Sequence, residues 1–344
     1  MATTYNIAVA GATSLVGEAI LELLAERKFP VGNVYALAIN CPEEAEVQFG
    51  NKTLDIENLA EFDFAQVQLV LLAEASDIAA KYVPKALQAG CKVIDTSACF
   101  RHDATVPLVV PEVNPEAIPA ADSAQNLVAI PNAISVQLLA ALQPLHQAVG
   151  ISRLIVSTYQ AVSEAGRIGV DELASQTAQL LNGRPVKSKV YSKQIAFNVI
   201  PHIDVFLENG YTKEEVEIVD AIHKVWGVAE LPISVTAVQL PVFFGHAVSV
   251  WLETSQKLTA QEAGNLLRQA PGIELYQTTM QQSANYPTPV TEALASNEIH
   301  VARIREDLGQ TQGLSLWLVA DNVRRTTALT CVQIAEKWLK TIGF

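Results

Sequence analysis

Asn6-Ile-Ala-Val-Ala-Gly-Ala-Thr-Ser-Leu-Val-Gly17 is the stretch that decides the fold. A short apolar run enters a glycine turn, and Leu15 to Arg27 then has the spacing of an amphipathic helix. Strand, glycine turn and helix in that order open a dinucleotide-binding unit: glycine lets the backbone approach a pyrophosphate, and the helix start offers N–H groups and a positive dipole end. Two glycines alone also fit a tight turn that binds nothing. Outward from this stretch, Val34–Ala38, Val67–Ala73 and Lys92–Asp95 read as further strands, with a helix over Asp77–Ala89. Strands alternating with helices predict a parallel, doubly wound sheet. Val106–Asn114, broken by prolines, reads as extended loop. Leu127–Ile130 reads as a last strand, and Ser135–Ala148 as a helix capped by Ser135.

Beyond this point the pattern changes. Ile151–Tyr159 alternates like a strand and Gln160–Arg167 reads as the loop that follows it. Val170–Leu181 is helical. Ile233–Gln239 and Val248–Glu253 read as long antiparallel strands joined through Pro241–His246, with Val301–Arg305 and Leu314–Val319 as two more. Long strands with one apolar face suggest an α+β domain with a large mixed sheet, a usual dimer surface. A closing helix over Asn322–Thr341 is expected to return to the first domain. The expected division is residues 1–132 plus 322–344 as a Rossmann-like dinucleotide-binding domain, and 133–321 as a catalytic-like dimerisation and substrate domain.

Composition narrows the function classes. The 344 residues suffice for two cores. Half are apolar and 17% charged, and the net charge is -13, which disfavours nucleic acid as a partner. Cys41, Cys91, Cys99 and Cys331 show no CxxC and no metal spacing, so free thiols in a reducing cytoplasm and no metal are expected. No signal peptide or membrane span is read from the sequence.

Six motifs then occur in one order: Ile130-Pro-Asn-Ala-Ile-Ser135, Ser157-Thr-Tyr-Gln-Ala-Val-Ser163, Ile200-Pro-His-Ile-Asp204, Pro241-Val-Phe-Phe-Gly-His246, Tyr286-Pro-Thr-Pro289 and Leu316-Trp-Leu-Val-Ala-Asp-Asn322. Together they resemble bacterial aspartate-semialdehyde dehydrogenase, from the first strand to the last helix, and more narrowly its Usg-1-type paralogues. The resemblance implies an oxidoreductase of amino-acid biosynthesis: β-aspartyl phosphate plus NADPH gives aspartate semialdehyde and phosphate. It also implies a homodimer or a dimer of dimers. Such chemistry needs a cysteine thiolate to form a thioester, a histidine as base and acid, arginines to clamp carboxylate and phosphate, and an oxyanion hole.

By that resemblance the nucleophile position is Ala133, so the thiol is absent. Asn132, Gln160, the histidine His246 and the phosphate-clamping arginine Arg101 are kept. The carboxylate-binding arginine is replaced by Gln239. A lysine and a glutamate on a substrate-facing helix are replaced by Glu217 and Ala221. The cofactor is expected, as NADP or NAD, over Gly11, Thr13, Ser14, Leu15, Val16, Gly17 and Asn322. Ser14 stands where the family has its middle glycine. Ile39–Pro42 with Glu43-Glu44 aligns with the segment that holds the 2′-phosphate of NADP, so weak or absent binding without NADP preference follows. Two readings remain. One is a cytoplasmic pseudoenzyme that binds a small molecule or a protein partner. The other is an active oxidoreductase on another substrate, using Cys99 or no nucleophile.

Overall fold

In the computed structural model, which describes residues 4–39, 44–120, 123–277 and 285–340, the opening stretch forms β1 (Tyr5–Ala10), the turn, and α1 (Leu15–Glu26). The chain continues through β2 (Val31–Ala38), β3 (Glu46–Phe49), β4 (Lys52–Asn58), β5 (Leu69–Leu72), α2 (Ser76–Gln88), β6 (Lys92–Asp95) and β7 (Leu127–Ala129). The strand order is β3-β4-β2-β1-β5-β6-β7. Every pairing is parallel except the β3–β4 hairpin. Ile7 to Ala10 are fully buried, which explains their unbroken apolar run: a central parallel strand has no water-facing side. Sequence reading missed β3 and β4, because both are edge strands rich in polar, exposed residues. Their signal is the two-residue Gly50-Asn51 turn, with Gly50 at φ 58°.

The second group of elements begins with α3 (Ala133–Val149) and β8 (Ile151–Gln160), followed by α4 (Arg167–Leu181) and α5 (Lys213–Trp226). Next come β9 (Ile233–Gln239), β10 (His246–Thr254), α6 (Ala260–Gln269), β11 (Ile273–Leu275), β12 (Ile299–Glu306) and β13 (Gly313–Ala320). Their sheet is mixed, in the order β11-β12-β13-β10-β8-β9. The two strands Ile233–Gln239 and His246–Thr254 run antiparallel, as expected, without pairing directly. β9 and β10 are not neighbours: β8 lies between them, parallel to β9 and antiparallel to β10. Gln160 is the last residue of β8, and a short 3-10 turn (Val162–Ala165) follows. The capping boxes Thr212/Glu215 and Thr259/Glu262 start α5 and α6. That T-x-x-E signature marks α6, which sequence reading overlooked.

One face of this sheet turns Val156, Val250 and Leu316 into the core. The opposite face carries Ile155, 40% exposed, beside Trp251, and Ser157 and Ser249 beside Trp317, all aligned by strand register. A π-helical segment over Arg324–Leu329 runs straight into α7 (Thr330–Lys340), which closes the described chain. Helical backbone thus begins at Arg324, just after the expected Asn322. The protein divides into two compact units, Met1–Asn132 with Thr327–Phe344, and Ala133–Thr326. Within the first unit, the Arg27 guanidinium meets the Glu336 carboxylate through two 2.7 Å hydrogen bonds, and Lys92 Nζ lies 4.8 Å from the Trp338 ring centre. These contacts tie α7 to α1 and β6.

Candidate active site

Ala133 is the first residue of α3 and is 3% exposed. The expected cap at Ser135 is wrong: Ser135 lies fully buried inside the helix, which starts at Ala133. This matters chemically. A helix start carries a positive partial charge and lowers the pKa of a thiol placed there. The backbone thus provides the setting of an activated cysteine, and the side chain there is a methyl group. Asn132, which precedes it, is also buried.

In the second unit, the ends of β8 and β9 hold a buried amide cluster. Gln160 and Gln239 are register partners. Gln239 Nε2 donates to the Gln160 carbonyl at 2.8 Å. Gln160 Nε2 donates to Thr158 Oγ1 at 3.2 Å and to Glu214 Oε1 at 3.1 Å. Next on α5, Glu215 accepts from Ala237 N at 2.9 Å and from Thr212 N at 2.8 Å. Glu214 is a cluster member that sequence reading missed. Its signal was its place three residues before Glu217, on one helix face. Glu217 is buried, yet Lys213 Nζ stands 3.4 Å from its carboxylate, one turn earlier. A cation that the sequence reading did not count therefore stands beside Glu217. Ala221 follows Glu217 one turn later and is buried.

His246 opens β10 and is 1% exposed. Its Nδ1 accepts the Ala161 N–H at 3.1 Å, and its Nε2 lies 3.1 Å from Glu164 Oε2. A backbone N–H can only donate, so Nδ1 carries the lone pair and Nε2 the proton. That proton points at the Glu164 carboxylate. In the same unit, Asn322 Oδ1 accepts from Ser163 Oγ and from Gly245 N, each at 3.0 Å. Asn322, expected at the cofactor, here pins the turn after β8 to the start of β10.

In the first unit, the glycine turn is sterically obligatory. Gly11 has φ 82°, and a Cβ there would sit 2.3 Å from the Ala73 carbonyl oxygen; a Cβ on Gly17 would sit 2.0 Å from that of Gly11. Ser14 differs, with φ -76° and ψ 161°, a conformation open to any residue. Its hydroxyl caps α1 by accepting from Gly17 N at 3.0 Å and donates to the Ala73 carbonyl at 3.1 Å. Leu15 and Val16 are the first helical residues, where amides lack intrahelical acceptors, and Thr13 is exposed in the turn. The glycines are thus required by the turn's own packing, and Ser14 already uses one helix-start donor. Asn40 to Glu43, the central part of the 2′-phosphate segment, lie outside the described residues; Ile39 ends the β2 side half-buried and Glu44 is exposed.

Arg101 Nε donates to the Ile130 carbonyl at 3.0 Å, and one terminal nitrogen donates to the Thr96 carbonyl at 2.9 Å. Much of its fork therefore braces the loops after β6 and β7. Cys99 lies between Ser97 and Arg101. Its N–H donates to Ser97 Oγ at 3.1 Å. Burial, and then the Asp95 carboxylate, push its thiol pKa up, opposite to what a nucleophile requires. Asp95 is itself pushed up by burial, against two hydrogen bonds from Ser97 and the Arg101 charge. Among the described residues no cluster of His, Cys, Asp and Glu could hold a metal, and no helix is long and apolar enough to cross a membrane.

Known proteins share both units. Residues 6–121 match the family model for the semialdehyde dehydrogenase NAD binding domain, and residues 142–325 the model for the semialdehyde dehydrogenase dimerisation domain. The chain is 45% identical to an aspartate-semialdehyde dehydrogenase of a Shewanella species over 98% of both chains. Against aspartate-semialdehyde dehydrogenase 2 of Vibrio cholerae the figures are the same. A crystal structure of the Vibrio cholerae enzyme II, complexed with ASA, superposes with a TM-score of 0.95 at 44% identity, covering 98% of this chain and 99% of that one. A probable aspartate-semialdehyde dehydrogenase of Pseudomonas aeruginosa gives 0.92 at 34% identity, again covering 98% and 99%.

Proposed function

The chain belongs to the aspartate-semialdehyde dehydrogenase family, and from that premise we propose that it is a Usg-1-type member that has lost the dehydrogenase reaction and serves as a cytoplasmic binding protein or scaffold. One observation carries this: residue 133 is the first of α3, the helix-start setting suited to a reactive thiolate, and it is alanine. Without sulfur no thioester forms, so the hydride of a nicotinamide, when bound, has no acyl acceptor. The remaining groups do not substitute. Arg101 gives two of its N–H donors to backbone carbonyls and supplies no nucleophile. Gln239 donates to the Gln160 carbonyl and offers no charge to a carboxylate. Cys99 as an alternative nucleophile is weighed down by a thiol pKa raised through burial.

The proposed site comprises Ala133, Asn132, Gln160 and His246 at the former reaction centre. Arg101, Gln239 and Glu217 stand at the former anion clamps, and Gly11, Thr13 to Gly17 and Asn322 at the former cofactor positions. NADP and NAD bind weakly and without distinction in this reading, because Ser14 occupies the Gly17 amide. A homodimer forms through the open face of the second sheet, where Ile155, Trp251 and Trp317 share one surface.

The test is phosphate-dependent reduction of NADP by aspartate semialdehyde, followed by nicotinamide absorbance. No turnover is expected. Activity of the parent protein would overturn the reading, and its loss in Cys99→Ser would name the substitute nucleophile. Calorimetry showing low-micromolar, NADP-selective binding would refute the cofactor part. Light scattering showing a monomer at micromolar concentration would refute the dimer.

A further inference from the structure

We propose that Glu164 is a positioning residue that captures the Nε2 proton of His246 and so withdraws this histidine from acid–base chemistry at residue 133. The inference rests on the reading of Ala133 as the former nucleophile position, and adds to it a second, independent obstacle.

An imidazole offers one acceptor and one donor when neutral. In His246 the acceptor, Nδ1, is used by the Ala161 N–H, and the donor, Nε2–H, lies 3.1 Å from the Glu164 carboxylate. The ring is 1% exposed, so water does not compete for either nitrogen. To act as a base the histidine needs a lone pair facing its substrate, and its lone pair faces the backbone. To stabilise a thiolate it needs its N–H, and that N–H faces a carboxylate, a far better acceptor than a neutral thiol. Glu164 is held for this task. It sits in the 3-10 turn Val162–Ala165, which runs directly on from β8. The Ala161 N–H bond and the Ser163–Asn322–Gly245 bonds fix that turn to the first residues of β10. The carboxylate is about one-third exposed, so the charge keeps contact with solvent while the proton it holds is buried.

Two measurements test this. The first is a proton NMR spectrum of the full-length protein labelled with 15N at histidine, with His246 assigned from His246→Gln. A slowly exchanging Hε2 resonance is expected in the parent. It should persist in Glu164→Gln, whose amide oxygen still accepts, and vanish by exchange in Glu164→Ala. An Hε2 signal that survives Glu164→Ala, or is missing in the parent, overturns the proposal. The second uses Ala133→Cys as a background and follows alkylation of the introduced thiol by iodoacetamide at pH 6.5, read by mass spectrometry on the peptide that spans position 133. In the proposed reading, where His246 serves position 133, releasing Nε2–H toward the thiolate lowers the thiol pKa by about one unit; the thiolate fraction then rises about tenfold and its intrinsic nucleophilicity falls about threefold, so adding Glu164→Ala to Ala133→Cys should speed alkylation about threefold. Equal rates overturn it. Turnover by the parent protein would instead refute the inactive reading, and neither measurement depends on turnover.

Discussion

The glycine turn of the first unit and the strand-end cluster of the second have met opposite fates. At the turn, the residues that packing demands are in place: Gly11 and Gly17 leave no room for a Cβ. At the cluster and at the start of α3, the positions that the proposed reading assigns to the lost reaction hold Gln239, Glu217 and Ala133, all buried, with Gln239 and Glu217 finding local partners. A residue required by steric exclusion cannot change without disturbing the fold. A residue required only by a reaction can change while the fold stands. The difference separates structural from chemical necessity within one chain.

The largest expected effect tests the chemical side. Ala133→Cys alone should stay silent in the dehydrogenase assay. Each lost buried charge-assisted pair costs on the order of 2–5 kcal/mol, or about 1.5 to 3.5 powers of ten in kcat/KM. In the proposed reading two clamps are altered, at Gln239 and Glu217. Turnover by this single variant would show that the cluster lacks only its sulfur, and would break the comparison.

The structural side is tested next by Gly11→Ala. A Cβ 2.3 Å from a carbonyl oxygen, on a backbone at φ 82°, should cost about 3 kcal/mol or more in urea unfolding. Gly90→Ala is the control, since Gly90 has φ 85° with nothing within 4 Å. Strain alone there should cost about 1–2 kcal/mol. Equal losses would mean that crowding contributes nothing at the turn.

Within the cluster, Glu214→Ala removes the 3.1 Å acceptor of the Gln160 amide and should cost about 1–3 kcal/mol, the penalty for a buried donor left without its partner. No change in urea midpoint would show that the cluster's order does not depend on that bond. The smallest effect is expected at α7. Arg27→Ala breaks a half-exposed pair with Glu336 and should cost at most about 1 kcal/mol, less at high salt. A larger loss would make that pair the main anchor of the closing helix.

Legibility followed burial. Elements whose pattern is forced by a dry environment were plain in the sequence: β1 and β5 as unbroken apolar runs, α1 after its glycine turn, and β8 by its alternation. The β3–β4 hairpin was not, because its exposed polar strands look like loop. The proposed site was read by resemblance, position by position. Its side chains were assigned through the family motifs, while Glu164 passed unnoticed because one more acidic residue in a turn carries no pattern, and Glu214 because its i, i+3 spacing to Glu217 marks a shared helix face without naming what that face meets.

The sequence by itself determined the two-part α/β architecture, the family, and the absence of a cysteine at residue 133, since these follow from residue identity and order along the chain. Only the tertiary structure decided that β8 separates β9 from β10, that the helix begins at Ala133 and not at Ser135, and that the Gln160 amide meets Glu214. It also decided where the His246 proton goes. Strand neighbours and hydrogen-bond partners are chosen by which groups meet when distant segments pack. A buried donor takes the acceptor that packing brings within about 3 Å, and for His246 that acceptor is Glu164, 82 residues away along the chain.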